Sequence, residues 1–204
     1  MVLNSKFPAY KMAHQSLVLN EESLQTMAES KRPVFVYEWL RWLERNLASV
    51  NRQEVKENQK MLVDQLMNLM TGGSPGPPTR QLIAQCMATL FSVGDTFLLF
   101  DTINKCNDIL KMKDDSPTFL PCRLAATVVV GTMYQRLGRM MGRSYEETVS
   151  ILTKGLKSAE SSTRAETMST LGKVCQGLGG AASNVHKDIY KACRASLTGT
   201  WGCK

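Results

Sequence analysis

The sequence predicts an all-α protein, an α-solenoid of antiparallel helix hairpins, on three observations. Apolar residues recur at spacings of three and four along most of the chain, which places them on one face of a helix. Proline and glycine clusters fall between these stretches and punctuate them. The resulting hairpins open near residues 34, 78, 118 and 162, about 44, 40 and 44 residues apart, close to the ~40–47-residue period of HEAT and armadillo repeats. A chain built by stacking helix pairs works through an extended surface more than through a buried pocket.

Each element follows from its residues. Residues 1–19 carry little periodicity and read as a flexible lead-in to a helical repeat domain over 20–198. Asn20 is an N-cap for a short helix, with Glu21 and Glu22 in its first turn, where carboxylates are favoured. The first hairpin spans about 34–70. Pro33 suits the start of its first helix, whose Val36, Leu40, Leu43 and Leu47 share a face widened by Phe35, Trp39 and Trp42. Its partner buries Val55, Leu62, Leu66 and Leu69 and turns Glu54, Lys56, Glu57 and Lys60 outward. Gly72-Gly73 and the prolines at 75, 77 and 78 end it, forming a stiff turn.

The second hairpin, about 78–113, has a core face of Leu82, Ile83, Cys86, Met87, Leu90 and Phe91 and closes at Gly94. Asp95 reads as the N-cap of the next helix; the very short link predicts antiparallel neighbours. The third hairpin, about 118–157, follows the turn from Lys113 to Pro117. Its long first helix carries Leu120, Leu124, Val128, Met133 and Leu137, and Gly142 supplies a left-handed ending. Ser144 begins the return helix, with Val149, Leu152 and Leu156 inward. The fourth hairpin, about 162–198, opens on Thr163-Arg164-Ala165-Glu166, a capping-box pattern. Gly179-Gly180 ends its first helix, and Val185, Ile189, Cys193 and Leu197 mark the second. Residues 199–204 form an irregular tail without a polar capping helix, which predicts an uncapped end available for self-association.

At 204 residues, 43% hydrophobic and 21% charged, the chain is long enough to bury a sizeable core. Its longest apolar run, Leu124 to Gly131, is about eight residues, against roughly 20 for a bilayer span. The first residues lack the apolar region of a secretory signal, which predicts a cytosolic protein. The six cysteines include no Cys-x-x-Cys pair, and five lie on helical apolar faces, where a free thiol packs as a small hydrophobe. No metal site and no cofactor is predicted.

The net charge of +7 invites acidic partners. The basic residues are scattered, and the tightest set is Arg136, Arg139 and Arg143, at spacings that place them on one helical face as a candidate basic patch. Cations near a helix C-terminus explain the same set through the helix dipole. His14 and His186 stand apart from any nucleophile. Thr170-Leu171-Gly172-Lys173 lacks the upstream glycine of a phosphate loop, and GLGGAA at 177–182 follows a helix where a nucleotide turn follows a strand. The acidic pairs at 21–22, 114–115 and 146–147 belong to helix starts or turns. Tyr37, Trp39 and Trp42 suit a core better than a docking patch. No catalytic residue is predicted.

Several strings carry a resemblance: SLVLNEES, VFVYEWLRWLE, SPGPPTRQLIA, SVGDTF, INKCNDILKMKDDSP, FLPCRLAA, SAES, GLGGAA and HKDIYKACR. Together, from about Met12 to Leu197, they resemble the N-terminal portion of the HEAT repeat-containing protein 5 family, which is far longer than this chain; a fragment or truncated form is expected. The resemblance implies a large cytoplasmic α-solenoid, a non-enzymatic accessory to clathrin-adaptor-dependent sorting and endosome-to-Golgi retrograde transport. It implies partners among clathrin-adaptor-associated components, and a cytosolic location with peripheral association to the trans-Golgi network and endosomal vesicles. It supplies no site residues. The residues alone leave an alternative, a basic helical module binding nucleic acid or acidic membrane lipids, whose affinity would fall steeply with salt.

Overall fold

The computed structural model describes residues 15–199, except for the side chain of Arg139. Among these residues the chain is helical without strands. The helices are α1 (Glu21–Thr26), α2 (Arg32–Asn46), α3 (Arg52–Gly72), α4 (Pro77–Val93), α5 (Leu99–Lys111), α6 (Leu120–Leu137), α7 (Tyr145–Gly155), α8 (Ser161–Leu178) and α9 (His186–Thr198). Short 3-10 turns cover Glu29–Lys31, Leu47–Ser49, Gly138–Met140 and Gly179–Asn184. None of the described helices is long and apolar enough to cross a membrane.

The apolar stripes dictate how the helices pack. Helices α2, α4, α6 and α8 pack each on the next, as do α5, α7 and α9. Between these two rows, the closest approaches join α3 to α4, α5 to α6 and α7 to α8. The short α4–α5 link therefore does not make those two the nearest pair; α5 lies closer to α6. The reason is that α6 is buried on every side from Leu124 to Tyr134, a stretch without a charged residue, and such a helix must be covered all round. Contacts from α3, α4, α5 and α8 provide that cover.

Three local expectations are corrected. Residues 15–19 are not a loose lead-in: Leu17 and Leu19 are buried. The Trp39 indole donates to the Ser16 carbonyl at 3.0 Å, and Gln65 on α3 holds the Leu19 peptide from both sides, at 2.9 and 3.0 Å. Residues 1–14 lie outside the described residues, as do 200–204. Asp95 does not cap α5, which starts at Leu99. Its backbone is instead held by Gln59, while its carboxylate accepts from the Phe97 N–H at 3.0 Å, closing a turn before the helix. Thr163 does not open a capping box, because α8 begins two residues earlier and Glu160 accepts from the Ser162 N–H. Asn20 does cap α1, accepting from the Ser23 N–H at 2.9 Å.

The α6–α8 seam is the tightest contact in the molecule. A methyl group on Gly177 would overlap the Tyr134 carbonyl oxygen, and one on Gly138 would meet the Gly177 oxygen at 2.5 Å. Glycine there lets two helix backbones meet, so its place in the GLGGAA string is a packing requirement as well as an approach to the helix end. Further along the seam, the Thr170 hydroxyl donates to the Thr127 carbonyl at 3.1 Å beside Gly131. Across α6, a buried polar cluster joins three helices. The Tyr134 hydroxyl meets Thr148 Oγ1 at 3.2 Å and Ser144 Oγ at 3.0 Å, and the Asn107 amide donates to Thr148 Oγ1 at 3.1 Å. Burial pushes the Tyr134 phenol up. Gly142 adopts φ +54° in the turn that follows, the left-handed conformation expected of it.

Candidate functional site

Of the three arginines of the candidate basic patch, Arg136 and Arg143 do not share a helical face. Helix α6 ends at Leu137, and a 3-10 turn and left-handed Gly142 intervene before Arg143. Arg136 reaches sideways to α4, donating to Thr89 Oγ1 at 2.8 Å and to the Gln85 carbonyl at 3.4 Å, so it fastens two helices together. Arg143 is exposed in the turn before α7, and the Arg139 side chain lies outside the described residues. The spacing that suggested a patch holds only while the helix continues, and it stops.

A different place gathers charge. A half-open cleft of about 1080 Å³ lies between the α5–α6 loop and the α7–α8 link. Its apolar floor includes Leu110, Leu120 and Ile151, and Met112 lies beside them, 51% exposed. Lys111, Lys113, Arg123, Lys154 and Lys157 supply its cations. Asp115, Glu147 and Glu160 are its carboxylates, and each is engaged: Asp115 with Arg123 at 3.2 Å, Glu147 with Lys111 at 2.7 Å, and Glu160 with the start of α8. Lys113 and Lys154 pair with no carboxylate among the described residues.

Arg123, in the first turns of α6, builds one wall. Its guanidinium donates to the carbonyls of Met112 and Asp114 as well as to Asp115, and lies 5.4 Å over the Phe119 ring. That fork is rigid and planar, so one side chain fixes a whole loop. Asp114 shapes the same loop, accepting from the Ser116 N–H at 2.9 Å; bonding to Ser116 holds its carboxyl below the usual range. On the opposite wall Lys111, Asp108 and Glu147 tie α5 to α7, and the bond to Glu147 raises the Lys111 amine. The α7–α8 link is held by Arg164, which donates to the carbonyls of Ser158 and Ala159 at 2.7 and 2.8 Å.

Two polar atoms in this setting have no partner. The buried Arg123 Nε and the Thr163 Oγ1 make no hydrogen bond among the described residues. Thr163 is 4% exposed and lines the cleft. Both atoms can donate, and a buried donor without an acceptor is costly. The cleft thus combines an apolar floor with two ammonium groups, Lys113 and Lys154, that pair with no carboxylate among the described residues. Neither histidine nor cysteine is among the residues that line it.

The other residues singled out in the sequence have the following places. Cys86 and Cys106 are fully buried, with burial pushing both thiols up to about 12. No group of three potential metal-ligating residues occurs among the described residues. His186 stacks on Tyr190 with ring centroids 6.5 Å apart, and His14 lies outside the described residues. Lys173 of the string at 170–173 lies within α8. Trp39 is buried, Trp42 packs against the core, and Arg41 lies 6.0 Å over the Tyr37 ring. The cleft had a faint signature in KMKDDSP and TKGLKSAES, two lysine-bearing turns of similar spacing from their helices, but nothing in the sequence pairs them.

Compared with known proteins, the chain is similar to Protein SWEETIE of Arabidopsis thaliana, with 30% identity over 183 residues. The match covers 86% of this chain and 8% of that protein, so the chain spans a small part of its relative's length. No family model matches the chain, and no solved structure matches it.

Proposed function

We propose that this chain is a non-enzymatic α-solenoid scaffold of intracellular membrane trafficking, an accessory to clathrin-adaptor-dependent sorting and endosome-to-Golgi retrograde transport. The observation that carries the scaffold reading is the packing order: α2, α4, α6 and α8 follow one another in a row, with the second helices set against them. Repetition of one contact type extends a surface, and proteins built so present that surface to partners. The trafficking assignment rests on the resemblance of the sequence strings to the HEAT repeat-containing protein 5 family.

The test is capture from nuclease-treated cytosol with the whole chain as bait, read by mass spectrometry. Enrichment of clathrin-adaptor components is the expected result, and their absence at equal bait loading would overturn the trafficking assignment. The net charge of +7 favours a second reading, a module for nucleic acid or acidic lipids. Binding to either with a steep salt dependence would identify it.

A further inference from the structure

We propose that the cleft between the α5–α6 loop and the α7–α8 link is a docking site for a short acidic peptide segment with apolar anchors, contributed by a partner protein. The inference deepens the scaffold reading and rests on it.

Charge decides the sign of the ligand. All three carboxylates of the cleft are already occupied by Arg123, Lys111 and the start of α8. Lys113 on the loop and Lys154 on α7 both line the cleft, and neither pairs with a carboxylate among the described residues. A ligand that carries carboxylates meets both ammonium groups.

Size and polarity decide its class. A lone phosphate or carboxylate fills little of about 1080 Å³ and leaves Leu110, Leu120, Ile151 and the exposed Met112 uncovered. A peptide of several residues fills the volume, lays apolar side chains on that floor and turns acidic ones toward the lysines. Methionine at such a surface adapts to varied apolar side chains. A lipid headgroup layer is flat and cannot follow a recess walled by two loops. Nucleic acid would need a basic track along the surface, and Arg136, the nearest expectation of one, is committed to Thr89 and Gln85.

The direct test is fluorescence anisotropy of the whole chain with a labelled octapeptide bearing leucine at its third and sixth positions and aspartate elsewhere. Saturable binding is expected, weakened at least tenfold by the double substitution Lys113→Glu and Lys154→Glu, and unchanged by Arg143→Glu as a charge control away from the cleft. A second variant, Ile151→Asp, is expected to weaken binding while the same octapeptide with both leucines replaced by aspartate binds poorly to the unaltered chain. Circular dichroism melts confirm that each variant folds. Absence of saturable binding, equal loss with Arg143→Glu, or preference for the all-aspartate peptide would each overturn the proposal. So would displacement of the peptide by phosphatidylserine vesicles or by single-stranded oligonucleotide at equal charge. Peptide binding with failed capture of adaptor components would sink the trafficking assignment alone. Adaptor capture that survives the double lysine substitution would remove the cleft proposal alone.

Discussion

The α6–α8 seam and the cleft beside it are built from the same helices to opposite ends. At the seam, Gly138 and Gly177 bring two backbones together, and the Thr170 hydroxyl donates to the Thr127 carbonyl between them. At the cleft, a few residues away along α6 and α8, Arg123 Nε and Thr163 Oγ1 have no partner among the described residues, and Lys113 and Lys154 line a recess without pairing to a carboxylate there. A seam closed by backbone contact leaves no room for a ligand; a shaped recess with unpaired lysines does. The difference teaches that binding capacity here lies where helix packing ends and loops begin, with the seam as the rigid frame.

The comparison breaks most easily at the seam. Gly177→Ala places a methyl group against the Tyr134 carbonyl of α6, and helices must separate to admit it. Overpacking of this kind costs about 3 kcal/mol. A thermal melt should then show Tm lower by about 6–12 °C, and an unchanged Tm would mean that the helices do not approach as closely as described. Next in size is Asn107→Ala, which takes a partner from Thr148 within the buried cluster on the other side of α6. Loss of about 2 kcal/mol is expected in urea unfolding, with the m-value unchanged because the fold is the same.

Arg123→Ala sharpens the contrast from the cleft side. It removes the fork that holds the carbonyls of Met112 and Asp114, so amide exchange over 112–117 should accelerate while seam amides keep their protection. Global stability should fall by about 1 kcal/mol, since the lost bonds lie near solvent. Equal acceleration at the seam would show that loop and frame are one cooperative unit. The smallest effect is expected at the exposed Lys105–Asp101 pair on α5, 2.9 Å apart. Lys105→Ala should change stability by less than about 0.5 kcal/mol, by urea titration.

Much of the frame was legible in the residues. Apolar spacing located the helices because burial on one side of a helix leaves a periodic trace, and Pro33 marked a start through its fixed backbone. Pro77 and Pro78, read as part of a stiff turn, are instead the first residues of α4. The Asn20 cap was equally readable, being set by residues three apart. Non-local features were not. The anchoring of Leu17 and Leu19 depends on Gln65 and Trp39, which lie far along the chain and leave no period. Which helix α5 approaches most closely follows from the all-round burial of α6, a property of the partner. The Arg136, Arg139 and Arg143 spacing misled because it assumed a helix past Leu137. The cleft stayed hidden for a related reason: Lys113 and Lys154 lie far apart in sequence, on a loop and on α7, and only the fold brings them to the same cleft.

Hydrogen exchange of the whole chain, with and without the leucine-bearing acidic octapeptide, tests the central claim that a rigid helix frame presents this cleft for binding. The account predicts new protection confined to residues 112–123 and 150–163, with the α6–α8 seam unchanged by the ligand. Protection centred on another face, or none at saturating peptide, would contradict it.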